Sequence, residues 1–354
     1  MNHDFLHRLL DAHGPSTFET RAARVWREEA GAFADHVDVD RIGNSLAAIR
    51  PDARPRVMLA GHIDEIGLQV MHIDDSGFLY VDGIGGWDPQ VLVGQRVCIL
   101  ARDGDVPGVV GKKAIHLMKP DEREKASKME QLWVDVGASS LDEVRELGVR
   151  VGDPMVVDAG VVTLAGDRIA SRAIDNRIGA YVVLEALRLL KEDPAEHAGA
   201  WAVATTQEEI GYQGGGARSS AYGLEPDVAI VVDVTFSTDV PDVEKRELGD
   251  HSLGGGPVIS RGSAAHPHVF ERLVELAEAE EIAHTIQAAP RQTRTDADGI
   301  QLVRRGIPTG LVSVPNRYMH SPNEVVSLAD VDATARLLAA FVRSLEEETD
   351  FTPR

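Results

Sequence analysis

Four short apolar runs in this chain each lead into side chains that bind metals or move protons. Val57-Met58-Leu59-Ala60 leads to His62 and Asp64, and Trp201 to Gln207 leads to Glu208 and Glu209. Val228 to Val232 leads to Asp233, and the run from Leu311 leads to His320. Open α/β sheets place their sites beyond the carboxyl ends of strands, so these four strand ends are expected to converge. Imidazole and carboxylate together suit Zn²⁺, Co²⁺ or Mn²⁺ and do not choose among them. Cys98 is the single cysteine. It permits no intrachain disulfide and no thiolate metal cluster, so any metal falls to His and carboxylates.

Further residues add to this set. Asp175 lies in Ser171-Arg172-Ala173-Ile174-Asp175-Asn176-Arg177, just ahead of an amphipathic stretch. Taken alone, it reads best as a helix N-cap. His62 and Asp64 are two apart, so on an extended segment they point the same way, and Asp64 can orient the imidazole through its other nitrogen. The adjacent carboxylates Glu208 and Glu209 would repel in a low-dielectric cleft, and one would be protonated unless a cation is present. Gly211 to Gly216 permits a close backbone turn but lacks the lysine of a phosphate loop. Most of the other histidines (His72, His116, His251, His266, His268 and His284 among them) read as surface residues, with His266 and His268 marking the start of a helix.

Positioning these residues calls for an α/β frame. The four runs are short, β-branched and apolar on both faces, as in buried strands of a largely parallel or mixed sheet covered by helices on both faces. Helical patterns run from Phe18 to Phe33, Arg177 to Lys191, Pro267 to Glu281 and Leu328 to Leu345, with Pro267 in a first turn and Ser327 as an N-cap. Between roughly residues 67 and 163 the texture changes. Pieces such as Phe78 to Val81 and Arg96 to Leu100 are separated by Gly and Asp turns. There, Ser140 to Glu143 is a capping box whose helix Gly148 ends, and Lys119 to Lys128 reads as a solvated loop. The expected architecture is a three-layer α/β domain (1–66 and 164–354) with a small β-rich domain (67–163) inserted.

The whole composition narrows the classes further. With 354 residues and 43% hydrophobic content, the chain can bury a large core. Asp and Glu number 57 against 36 Lys and Arg, a formal charge of −21 that argues against a nucleic-acid partner. No apolar run reaches bilayer length, and the first residues lack a signal-peptide core, so a cytoplasmic location and no membrane association are expected.

The motifs His62-Ile63-Asp64-Glu65-Ile66-Gly67, Ala173 to Gly179, Gln207 to Gly211, Val232 to Thr235 and Arg317 to Pro322 occur in this order. Together they resemble the tetrahedral (TET) family of metallo-aminopeptidases, the glutamyl and deblocking aminopeptidase type. The likeness covers nearly the whole chain, and Gly111-Lys112-Lys113 through Ala138 is similar to the family's dimerisation domain.

The resemblance implies two metals, zinc being the expected occupant with cobalt or manganese as other choices. One metal would take His62, Asp175 and Asp233, and the other Asp175, Glu209 and His320, so that Asp175 bridges. Glu208 would be the general base, with Asp64 supporting His62. It also implies peptide substrates with a free N-terminus, dimers through the inserted domain, and a tetrahedral dodecamer. The chain departs from the family at Asn176, where many relatives have Asp, and at Thr17 and Arg294, where they have Gly.

Two alternatives stand beside this. The first is another amide hydrolase (carboxypeptidase, deacylase or dipeptidase) on the same scaffold. A carboxypeptidase would need an arginine at the metals, and Arg177, Arg291 and Arg294 are the candidates. The second is a non-catalytic assembly scaffold, against which Glu208 argues.

Overall fold

A computed structural model describes residues 1–211 and 215–353. The strands are β1 His36–Val39, β2 Ser45–Ile49, β3 Arg56–His62, β4 Gly67–Ile73, β5 Leu79–Ile84, β6 Arg96–Ala101, β7 Gly104–Gly111, β8 Trp133–Asp135, β9 Pro154–Val157, β10 Val162–Thr163 and β11 Arg168–Ser171. There follow β12 Gly199–Thr205, β13 Val228–Phe236, β14 Val258–Gly262, β15 Thr285–Ala289, β16 Thr309–Asn316 and β17 Glu324–Ser327.

Eight of them form one sheet in the order β1-β2-β12-β3-β13-β16-β14-β15. The central strands β12, β3, β13 and β16 run parallel to one another, while the β1–β2, β2–β12 and β14–β16 pairs are antiparallel. The sheet is therefore mixed around a parallel centre. Apolar residues predominate on both faces of the four central strands because both faces are covered. On one face lie helices Thr20–Ala30, Ile174–Glu192, Pro267–Ala279 and Leu328–Arg343, packed around Trp26, Tyr181, Leu187, Leu273, Leu338 and Phe341. On the other, helices Gly215–Leu224 and Asp296–Ile300 bury Ala217, Ala221 and Ile300 against Met58, Val203 and Val231.

Strands β4, β5, β8, β7, β6 and β9 close into a barrel with a separate core around Leu68, Ile99, Val134 and Met155. A three-stranded sheet, β10-β11-β17, borders the site.

Two expectations need correction. Ser327 occupies the N-cap position of helix Leu328–Arg343, but its hydroxyl makes no cap bond. It donates to Oδ2 of Asp167 at 2.6 Å, and that oxygen accepts the N–H of Ala329 at 3.0 Å. A carboxylate reaching in from another strand connection thus does the capping. His251 is 1% exposed rather than on the surface. Its Nδ1 lies 2.8 Å from Thr285 Oγ1 and its Nε2 3.1 Å from the carbonyl of Leu248, and burial lowers its pKa. The stretch from Lys119 to Lys128 is largely exposed and includes a single helical turn, Pro120–Arg123.

Candidate active site

His62 ends β3, the strand between β12 and β13, so its imidazole emerges at the centre of the parallel strand ends. Asp233 lies inside β13 rather than beyond its end, because that strand continues to Phe236. Glu208 and Glu209 follow β12, and His320 follows β16. Asp175 arrives from the opposite side, at the start of helix Ile174–Glu192.

That start is irregular. Asp175 and Asn176 are non-helical, and the peptide between them is cis. The capping role falls to Asn176, whose Oδ1 accepts the N–H of Gly179 at 2.9 Å while its Nδ2 donates to the carbonyl of Val232 at 2.8 Å. Asp175 is released from helix capping, and its carboxylate faces two histidines. Oδ1 lies 3.2 Å from His62 Nε2, and Oδ2 lies 3.5 Å from His320 Nε2.

Two triads result. In one, a single ligand-type atom from each of His62, Asp175 and Asp233 lies within 4.8 Å of the other two; in the other, the same holds for Asp175, Glu209 and His320. His62 Nε2 is 3.9 Å from Asp233 Oδ1 and 3.8 Å from Glu208 Oε2, and His320 Nε2 is 3.3 Å from Glu209 Oε2. The structure thus brings together all five residues singled out as ligands, with Glu208 beside them.

Asp64 joins the two halves of this arrangement. Its Oδ1 is 3.4 Å from His62 Nδ1 and accepts the N–H of Glu208 at 3.2 Å, while its Oδ2 accepts the N–H of Glu209 at 3.1 Å. Ser16 also donates its hydroxyl to Oδ2. The other nitrogen of His320 is fixed from the barrel side, Nδ1 lying 2.8 Å from the carbonyl of Gly86.

Charge is densely confined here. Burial pushes Glu208 well above the usual carboxylate range; the charge of His62 opposes this, while Asp233, Asp296 and Glu209 add to it. Asp233 is also raised, first by burial and then by Asp175. Burial acts to neutralise both imidazoles, but adjoining carboxylates overcome it. Asp175 and Asp64 hold His62 well above the usual histidine range, and Asp175 and Glu209 hold His320 at about 11. Four carboxylates and two imidazoles in one cleft are the environment that a divalent cation neutralises. Oε1 of Glu209 is buried without a hydrogen-bond partner, leaving an acceptor directed at nothing in the protein. The donor set fits divalent metal ions.

Several supporting residues carried no signal in the sequence. Ser16, Glu19 and Glu324 act by bonding to backbone amides or to other carboxylates, a role with no fixed motif. Glu19 accepts from the N–H of Thr17 at 2.8 Å and of Gln207 at 3.1 Å, and burial with the charge of Asp64 pushes it up to about 7. Asp296 is 1% exposed, accepts from Thr205 Oγ1 at 2.5 Å, and is raised by burial to about 6.

The two departures from glycine both have left-handed backbone, with φ of 72° at Thr17 and 58° at Arg294. Glycine adopts that conformation without strain. Of the three candidate arginines, Arg177 is fully buried and bonded to Glu65 and the carbonyls of Ile63 and Leu9, so it does not face the cleft. Arg291 and Arg294 line the cavity of about 1420 Å³ that opens beside His62 and His320. The turn Gly211 to Gly216 lies partly outside the described residues.

Residues 43–337 match the family model described as M42 glutamyl aminopeptidase. The lysyl aminopeptidase of Pyrococcus furiosus is 38% identical over 353 residues, 99% of each chain. A TET aminopeptidase from a marine sediment archaeon, Thaumarchaeota archaeon SCGC AB-539-E09, superposes with a TM-score of 0.92 at 34% identity, covering 98% of this chain and 97% of that one. The TET1 peptidase of Pyrococcus horikoshii, which can assemble into a tetrahedron or a large octahedral shell, superposes at 0.84 with 29% identity over 97% and 99%. The chain belongs to the M42 glutamyl aminopeptidase family. It is a metal-dependent aminopeptidase, and the family implies divalent metal ions.

Proposed function

We propose that this aminopeptidase works through a dinuclear centre, with His62, Asp175 and Asp233 holding one ion and Asp175, Glu209 and His320 the other. The observation that carries this reading is the pair of triads sharing Asp175, whose two oxygens face different histidines. Three protein ligands for each ion leave coordination open for substrate or water. When bound, the ions would polarise the scissile carbonyl and lower the pKa of the attacking water, and zinc is the proposed occupant.

The protein's own part is proton handling and placement. Glu208 takes the proton of the attacking water and later gives it to the departing amine. Its raised pKa suits a carboxyl that must hold a proton between those steps. Asp64 fixes the backbone of Glu208 and the ring of His62 together, so base and ligand keep one geometry. The acidic cleft favours the α-ammonium of a free N-terminus and so restricts cleavage to the first residue. Matched free-amine and N-acetylated peptides test this. The free amine should be cleaved and the acetylated form spared, and equal cleavage would favour a deacylase or endopeptidase reading.

We further propose a cytoplasmic homo-oligomer, with dimers formed through the barrel within residues 67–163 and assembled into a tetrahedral dodecamer. The overall likeness to the P. horikoshii TET1 peptidase supports this, as do Ile115 and Leu117, apolar yet 59% and 72% exposed. Light scattering at the mass of twelve chains is the expected result. Among the described residues no helix is long and apolar enough to cross a membrane.

A further inference from the structure

Glu324 opens β17 and is 2% exposed. Its Oε2 accepts the N–H of Asp175 at 2.9 Å, and its Oε1 accepts the N–H of His320 at 2.8 Å. One carboxylate therefore holds the backbones of two residues that come from different parts of the chain. Their side chains meet at 3.5 Å, His320 Nε2 to Asp175 Oδ2.

Both segments need holding. Ala173, just ahead of Asp175, and His320 itself each have φ of 59°, left-handed backbone at non-glycine residues. Such conformations persist only where the surroundings over-determine them. Glu324 is buried, and a low local dielectric strengthens the hydrogen bonds that it accepts. Glu324 is itself anchored through its strand, since β17 pairs with β11 and sets Glu324 opposite Ser171.

We propose that Glu324 is a positioning residue for the metal centre. It fixes the spacing of Asp175 and His320 through their backbone amides, and thereby sets the triad that they form with Glu209. This rests on the dinuclear reading above. The fold supplies an internal comparison in Asp330, likewise buried, whose Oδ2 and Oδ1 accept the N–H groups of Gly254 and Gly256 at 2.7 Å each. Asp330 has the same bonding pattern but holds none of the proposed ligands.

The test is Co²⁺ titration of chelator-stripped full-length protein, followed by visible absorption, with thermal melts in parallel. Glu324→Gln keeps the volume but leaves one amide facing an NH₂ group; Glu324→Asp keeps the carboxyl group but cannot reach both amides. Both should weaken Co²⁺ binding roughly 10- to 100-fold and shift the absorption band. Asp330→Asn should lower the melting temperature yet bind Co²⁺ as the wild type does. If either Glu324 variant fails to fold, the other carries the comparison. Wild-type affinity and band shape in a folded Glu324 variant would overturn the proposal, as would equal weakening by Asp330→Asn. Absence of Co²⁺ uptake by the wild type would instead overturn the dinuclear reading, and the role of Glu324 with it.

Discussion

The side chain of Asn176 accepts the N–H of Gly179 at 2.9 Å, and this bond leaves the neighbouring carboxylate of Asp175 free for the cleft. Asn176 caps the helix and, through Nδ2, ties it to β13 at Val232. Asn176→Ala should cost about 1 to 2 kcal/mol of stability. Urea denaturation checks the magnitude, and an unchanged midpoint would show that the cap carries no weight.

Glu208→Gln should lower kcat by roughly 10²- to 10⁴-fold while metal content stays at the wild-type level. Elemental analysis beside leucine p-nitroanilide hydrolysis separates the two effects. Near-normal turnover would remove Glu208 from the role of base.

The strand ends made much of this arrangement legible. His62, Glu208, Glu209 and His320 follow short, β-branched apolar runs that read as buried strands, and parallel strands carry such residues to one edge. Asp233 was reached by the same reasoning although its strand runs three residues further. Asp175 was ambiguous because an Asp ahead of an amphipathic stretch is an ordinary cap, and only the structure shows Asn176 in that role. Glu324, Ser16 and Glu19 were illegible for a different reason. A buried carboxylate or hydroxyl that bonds to backbone amides or to another carboxylate depends on long-range approach, which leaves no local spacing to read. Ser327 was legible as the N-cap position, but the bond to the helix amide comes from Asp167, which is distant in sequence.

Gly61 precedes His62 at the closest approach of β3 to helix Ile174–Glu192. A Cβ there would lie 2.4 Å from the backbone carbon of Gly179. Gly61→Ala must push the helix away from the strand, at a cost of about 1 to 3 kcal/mol. Because that helix carries Asp175, metal affinity should fall together with stability, and calorimetric metal titration measures it. A destabilised variant with unchanged affinity would show that the helix shift is not transmitted to the site.

Arg317, three residues before His320, donates Nε and Nη2 to the two oxygens of Asp239 at 2.8 and 2.6 Å. This pairing, above all the hydrogen bond, lowers the Asp239 carboxyl from 3.8 to about 2. A depressed carboxylate stabilises the fold fully above its unfolded pKa and loses that contribution as pH falls through the folded value. Asp239→Asn should therefore be less stable than the wild type by about 1 to 2 kcal/mol near neutrality. The gap should close as the pH falls from about 4 towards 2, as urea melts across that range will show. A gap independent of pH would deny the ion pair its stabilising role.

The central claim is that two ions, shared through Asp175, are required for peptide hydrolysis. Chelator-stripped protein titrated with Zn²⁺ or Co²⁺, while hydrolysis of leucine p-nitroanilide is followed, tests it most directly. The expected result is no turnover without metal, full activity only as the ratio reaches two ions per chain, and no recovery at any ratio for Asp175→Ala. Full activity at one ion per chain, or turnover by metal-free protein, would contradict it.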